Sequence, residues 1–98
     1  MANHTKVDTQ ELVEALNTFL ANTTIVYYKT HAFHWNVEGS NFYGIHVMLE
    51  KFYTKLWKSM DEIAERIRTL GEKAPSNFVD LLKNATILEN ETSPQPQV

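Results

Sequence analysis

Hydrophobic residues along this chain recur at helical spacing in two long tracts separated by a short polar loop. At about 100° per residue, Leu12, Leu16, Phe19, Leu20, Thr23, Val26, Tyr27, Thr30 and His34 share one face. Asp8 is placed to cap this tract, with Glu11 at the third helical position and Val7 against Leu12 as a hydrophobic staple. Helix A is therefore expected over 8–36, after an N-terminal arm at 1–7. Gly39 breaks the pattern inside the loop 37–41, and Asn41 is expected to cap helix B over 42–70. Phe42, Ile45, Leu49, Phe52, Leu56, Met60, Ile63, Ile67 and Leu70 form the apolar stripe of helix B, and Gly71 supplies its stop. The Pro75-Ser76 turn introduces a short helix over 77–84 that is expected to bury Phe78, Leu81 and Leu82. Residues 89–98, with Pro94 and Pro96, read as an extended tail.

The resulting expectation is an all-α chain: a long antiparallel hairpin of helices A and B plus a short helix, a single but incomplete domain over 1–98. Each long helix is about 40 Å in length, and a loop this short leaves them no choice but to fold back on one another. One seam cannot cover the apolar surface that both helices carry. The missing walls must come from a second copy or from further chain, giving half of a four-helix bundle.

Composition narrows the chemistry. The chain has 98 residues and no cysteine, so disulfides, thiolate metal sites and thiol nucleophiles are excluded. Twelve acidic residues against nine Lys and Arg give a net charge of −3, which repels polyanions. Residues 1–6 lack the apolar centre of a signal peptide, and no run has the roughly 20 apolar residues of a membrane span. These features point to a cytoplasmic protein with no membrane partner.

The candidate chemistry lies on helix B. His46, Glu50, Asp61 and Glu65 fall within an arc of about 100° beside the apolar stripe, as two i, i+4 pairs. His46 and Glu65 are separated by about 28 Å of helix rise, whereas ligands must come within about 2.0–2.6 Å of a metal ion. One helix cannot assemble them into one site; two antiparallel copies can. The pairs 46/65 and 50/61 share a midpoint between Lys55 and Leu56, so one two-fold axis there sets His46 and Glu50 against the mate's Asp61 and Glu65. Tyr53, Thr54 and Trp57 lie on the same arc and are expected to form the packed centre of that contact.

Imidazole with several carboxylates suits iron(II), manganese or zinc, while calcium prefers oxygen ligands throughout. His34, at the end of helix A, can reach across the hairpin and add a second imidazole. A plainer reading stands beside this one. Asp61 and Glu65 can instead pair with Lys58 and Arg68 on the helix surface, for a few tenths of a kcal/mol each. His34 can be a hydrogen-bonded core residue, and Tyr27, Tyr28, Trp35 and Trp57 packing groups. His4 and His31 have no partner that the sequence identifies.

The run His34-Trp35-Asn36-Val37-Glu38-Gly39, followed by Phe42, His46, Asp61-Glu62-Ile63-Ala64-Glu65-Arg66-Ile67 and Leu70-Gly71, resembles the signature of the Dps mini-ferritins in order and spacing. The resemblance covers about residues 8–91. It implies ferroxidase ligands at His34, His46 and Glu50 of one subunit and at Asp61 and Glu65 of its two-fold mate. Position 50 is commonly Asp in the family. Ordinary ferritins build their di-iron centre inside one bundle from Glu-x-x-His pairs, and no such pair occurs here.

The resemblance further implies a twelve-subunit cage that takes in iron(II), oxidises it with hydrogen peroxide or oxygen, and stores the ferric product. Zinc or manganese are candidate substitutes for iron. Family subunits continue with two further long helices after the short one, so a separate C-terminal half is a candidate partner. The alternative is a non-catalytic helical half-bundle that docks with a partner half. DNA is not an expected partner, because the arm Met1-Ala2-Asn3-His4-Thr5-Lys6 offers one lysine.

Overall fold

The computed structural model describes residues 5–87. The expected tail at 89–98 and residues 1–4 of the expected arm lie outside the described residues. Three helices follow one another: α1 over Thr5–Asn36, α2 over Phe42–Thr69 and α3 over Phe78–Leu82. Helix α1 and α2 form the antiparallel hairpin, and α3 packs back on α1.

Helix α1 already includes Thr5, so Asp8 is not its cap but an acidic residue within the first turn, where the amide dipoles favour negative charge. Asn41 precedes α2 without a side-chain cap; its backbone carbonyl accepts from the Ile45 amide at 3.2 Å. The far end of α2 closes as its glycine requires. Gly71 has φ +93°, the Gly71 amide donates to the Arg68 carbonyl at 3.0 Å, and the Glu72 amide donates to the Ile67 carbonyl at 3.3 Å. That paired closure needs a left-handed residue after the helix, a conformation in which a Cβ is strained. At α3 the Asn77 side chain accepts from the Asp80 amide at 2.8 Å, an ordinary N-cap.

The hairpin core sits toward the open end, where Val13 and Leu20 of α1 meet Ile63 and Ile67 of α2, with Leu16, Met60, Leu70 and Leu81 around them. Ile67 is wholly buried. Of the residues expected to anchor the short helix, Leu81 reaches this core, but Phe78 is 72% exposed and Leu82 borders solvent. A five-residue helix turns only one narrow side inward, and here Leu81 occupies it.

Helix α2 is apolar on one side, whereas α1 carries apolar residues around much of its circumference. Apolarity on all sides marks a helix meant to be surrounded. Two sides of α1 are met within the chain: α2 covers Val13 and Leu20, while Ala21 and Ile25 are buried as well. Asn22 ties the segment after α3 to α1, its Oδ1 accepting from the Thr86 and Ile87 amides at 2.9 and 3.2 Å. Leu12, Phe19 and Val26 remain exposed on α1. The chain leaves a side of its central helix open to other helices.

Candidate metal centre

The loop at 37–41 brings the end of α1 beside the start of α2, and Val37 is buried at the bend. His34 and His46 meet there. The Nδ1 of His34 lies 2.8 Å from the His46 carbonyl oxygen, and the Nδ1 of His46 lies 2.9 Å from the His34 carbonyl oxygen. A carbonyl can only accept, so both rings carry their proton on Nδ1 and hold Nε2 as the remaining nitrogen. The rings stack, with centroids 3.6 Å apart. Phe42 stacks on the other side of His46 at 5.0 Å, and Tyr53 meets His34 edge-on at 5.1 Å. His34 is buried and His46 partly so.

The carboxylates lie farther along α2. Glu50 is exposed one turn beyond His46, at a shallow hollow shared with Val47, Lys51, Thr54 and Lys55. Asp61 is exposed at the edge of an apolar cleft of about 300 Å³ lined by Leu20, Trp57, Met60 and Leu81. Glu65 is exposed one turn on. Within one chain the fold thus unites His34 with His46 and leaves Asp61 and Glu65 apart from them. Among the described residues no three His, Asp or Glu side chains converge on one point. Arg68, the surface partner considered for Glu65, donates from its guanidinium to the Glu72 carbonyl at 3.0 Å.

Two residues behave differently from the sequence reading. Tyr53, expected at the centre of a two-fold contact, turns instead into the hairpin and is partly buried. Its ring stacks on His31 at 3.8 Å with only 12° between the planes. His31, whose partner the sequence does not identify, also lies 3.0 Å through Nδ1 from the Tyr27 hydroxyl and 4.4 Å from the Trp35 ring. Burial, and then the charge of His34, lowers the pKa of His31 below its ordinary value. The recoverable signal was the spacing Tyr27, His31, Trp35, four residues apart on one face of α1, opposite an aromatic residue of α2. Trp57 meets Tyr27 at 5.8 Å but is 61% exposed, so it retains a free side.

Comparison with known proteins agrees with this architecture. The profile of the ferritin-like domain matches residues 13–97. The chain is 38% identical over 85 residues to a DNA protection during starvation protein of Brevibacillus brevis, covering 86% of this chain and 57% of that protein. It is 34% identical to general stress protein 20U of Bacillus subtilis, covering 88% of this chain and 61% of the relative. Among solved structures, the Dps protein of Vibrio cholerae superposes with a TM-score of 0.83 at 39% identity, covering 92% of this chain and 57% of that one. Antigen TpF1 of Treponema pallidum gives 0.81 at 31% identity, covering 91% and 56%. The chain spans between half and two thirds of the length of these relatives. An all-helical hairpin with this match along most of its length belongs to the ferritin-like family, and its similarity is to the Dps proteins within it.

Proposed function

We propose that this chain is an iron-oxidising and iron-storing subunit whose metal site forms between two copies. The observation that carries the reading is the mutual hold of His34 and His46. An imidazole whose Nδ1–H is fixed to a carbonyl presents Nε2 in a set direction, the usual arrangement behind a histidine metal ligand.

The remaining ligands would be Glu50 of the same subunit and Asp61 and Glu65 of the mate. All three are exposed on α2, so their oxygens are available to a facing copy. An antiparallel crossing of α2 near residue 55 supplies two such sites per dimer by symmetry. Trp57 and the apolar cleft beside Asp61 offer that contact apolar surface, which a stable interface requires.

Iron(II) enters as substrate. The carboxylates are hard anionic donors that favour iron(III) over iron(II), and the imidazoles orient the ion. Two iron(II) ions give one electron each to one hydrogen peroxide; its O–O bond breaks and, with two protons, both oxygens leave as water. That pairing avoids hydroxyl radical and would account for protection of a cell under stress. Dioxygen is the alternative acceptor, and zinc or manganese can occupy the same donor set. Storage implies a closed shell of copies, twelve in the family, within the cytoplasm. With a net charge of −3 the chain would protect through iron chemistry rather than by holding DNA.

The test follows iron(III) absorbance after iron(II) and peroxide are added to wild type and to Asp61→Asn. Slower oxidation by the variant supports the reading, and equal rates remove the proposed site.

The exposed Leu12, Phe19 and Val26 on α1 favour a second reading, a helical half that docks with a partner half and performs no chemistry. Light scattering with and without a polypeptide matching the remaining length of the relatives separates the two. A complex that forms but leaves iron oxidation at the background rate selects the docking role.

A further inference from the structure

Lysines gather on one part of α2. The stretch 51–60 holds Lys51, Lys55 and Lys58 and no carboxylate, in a chain whose net charge is −3. At 100° per residue these lysines span about 60° of the helix, immediately beside the arc of His46, Glu50, Asp61 and Glu65. Each is exposed. Among the described residues none of them is within ion-pair distance of a carboxylate, although Asp61 and Glu62 lie in the turn after Lys58. Lys51 and Lys55 border a shallow hollow of about 390 Å³ together with Glu50 and Thr54.

A two-fold axis between Lys55 and Leu56 concentrates this charge. Such an axis lays each flank of α2 along the same flank of its mate. Helix rise then sets the two Lys55 residues about 1.5 Å apart in level, and the two Lys58 residues about 7.5 Å apart. Lys51 falls about 3 Å from level with the mate's Glu62, which shares its angular position to within about 20°. Glu62 is the carboxylate of that flank, one for the three lysines of each copy, while Glu50 and Asp61 lie about 60° or more around the helix from Lys55 and Lys58. Like charges gathered in this way oppose the contact unless an anion joins them.

We propose that Lys55 and Lys58 of two copies, with Lys51 at the margin, hold a phosphate-type dianion on the two-fold axis. A dianion accepts hydrogen bonds from several ammonium groups at once, and lysine meets it as a mobile point charge. Anion binding and pairing of the chains are thereby coupled: the anion tightens the dimer, and the dimer tightens its hold on the anion. The axis is the one inferred for the iron site, so the proposal rests on that reading, but none of these lysines is a proposed iron ligand.

The experiment uses the full chain without metal, at the urea concentration that leaves it half associated in chloride buffer, with mass read by light scattering. Replacing chloride by about 10 mM inorganic phosphate at equal pH and ionic strength should tighten association about tenfold for a site of about 1 mM affinity. The double variant Lys55→Gln, Lys58→Gln, checked for unchanged helix content, should associate in chloride at least as well as wild type and ignore phosphate. A merely solvated face predicts no difference between the two anions. An equal phosphate response in the double variant, or wild-type association that phosphate leaves unchanged, would overturn the anion site. So would a response to a DNA duplex with none to inorganic phosphate. A chain that stays monomeric in both buffers without urea would remove the axis itself, and the site with it. Iron takes no part in these readings, so Asp61→Asn tests the metal site separately.

Discussion

His34 and His46 orient each other, each ring nitrogen Nδ1 donating to the other's backbone carbonyl at 2.8 and 2.9 Å. The two residues are twelve positions apart, and the bond pair closes the loop end of the hairpin as well as aiming the rings. One arrangement thus ties the two helix ends together and fixes both rings, because the acceptors are main-chain atoms held by the two helices.

If the site is shared between copies, defects on opposite sides should complement. His46→Gln and Asp61→Asn alone should each disable every site in a homodimer. A mixed dimer keeps one site in which the intact His46 faces the intact Asp61. Random pairing of equal amounts should therefore restore about a quarter of the wild-type sites. Iron(III) formation after dissociation and remixing measures this, and a mixture no better than its components would rule out a shared site.

His31 predicts a pH dependence. Its pKa is lowered in the fold by burial and by His34, so the folded chain favours the neutral ring. The unfolded chain takes up a proton as pH falls below about 6.5, so below that value it binds more protons than the folded chain. Stability from this group is fully present above that pH and is lost as pH falls through the depressed value. Thermal melts between neutral and mildly acidic pH should show a steeper decline for wild type than for His31→Gln. Parallel declines would assign the acid sensitivity to other groups.

Asn22→Ala should free the segment after α3. It removes two bonds to the Thr86 and Ile87 amides and one from Asn22 Nδ2 to Thr86 Oγ1 at 2.9 Å. The tie is solvent-exposed, so the cost should be about 1 kcal/mol in total. Hydrogen exchange at the Thr86 and Ile87 amides should accelerate while the α1–α2 core amides are unchanged.

Ile67→Ala should be the costly core substitution. The side chain is completely buried against Val13, Leu20 and Ile63, and its truncation should cost about 2–5 kcal/mol. Gly71→Ala should cost about 1 kcal/mol through backbone strain alone, since a Cβ there meets no atom within 4 Å. Urea denaturation read by helix content distinguishes the two magnitudes.

Periodicity and glycine placement made the helices and the bend legible. The 3.6-residue repeat identifies a helix wherever apolar groups keep to it, and Gly71 marks an end because the backbone there needs a positive φ. The capping assignments at Asp8 and Asn41 were less well determined, since a side chain suited to capping can also sit inside the first turn, as Asp8 does, or leave the cap bond unmade, as Asn41 does. Phe78 shows the same limit: hydrophobicity proposes burial, but a one-turn helix offers a single inward position.

The sequence by itself determined that two long helices fold back at residues 37–41, because chain connectivity and helix rise leave no alternative, and that His34 can thereby reach toward the start of the second helix. It also determined that Asp61 and Glu65 cannot reach those imidazoles along one helix. Only the tertiary structure decided how each ring is turned: that His34 and His46 exchange carbonyl bonds, that Tyr53 faces inward, and that His31 bonds Tyr27. Those outcomes depend on the rotation of one helix against the other and on the positions of main-chain oxygens across the seam. A one-dimensional pattern specifies faces but not such contacts.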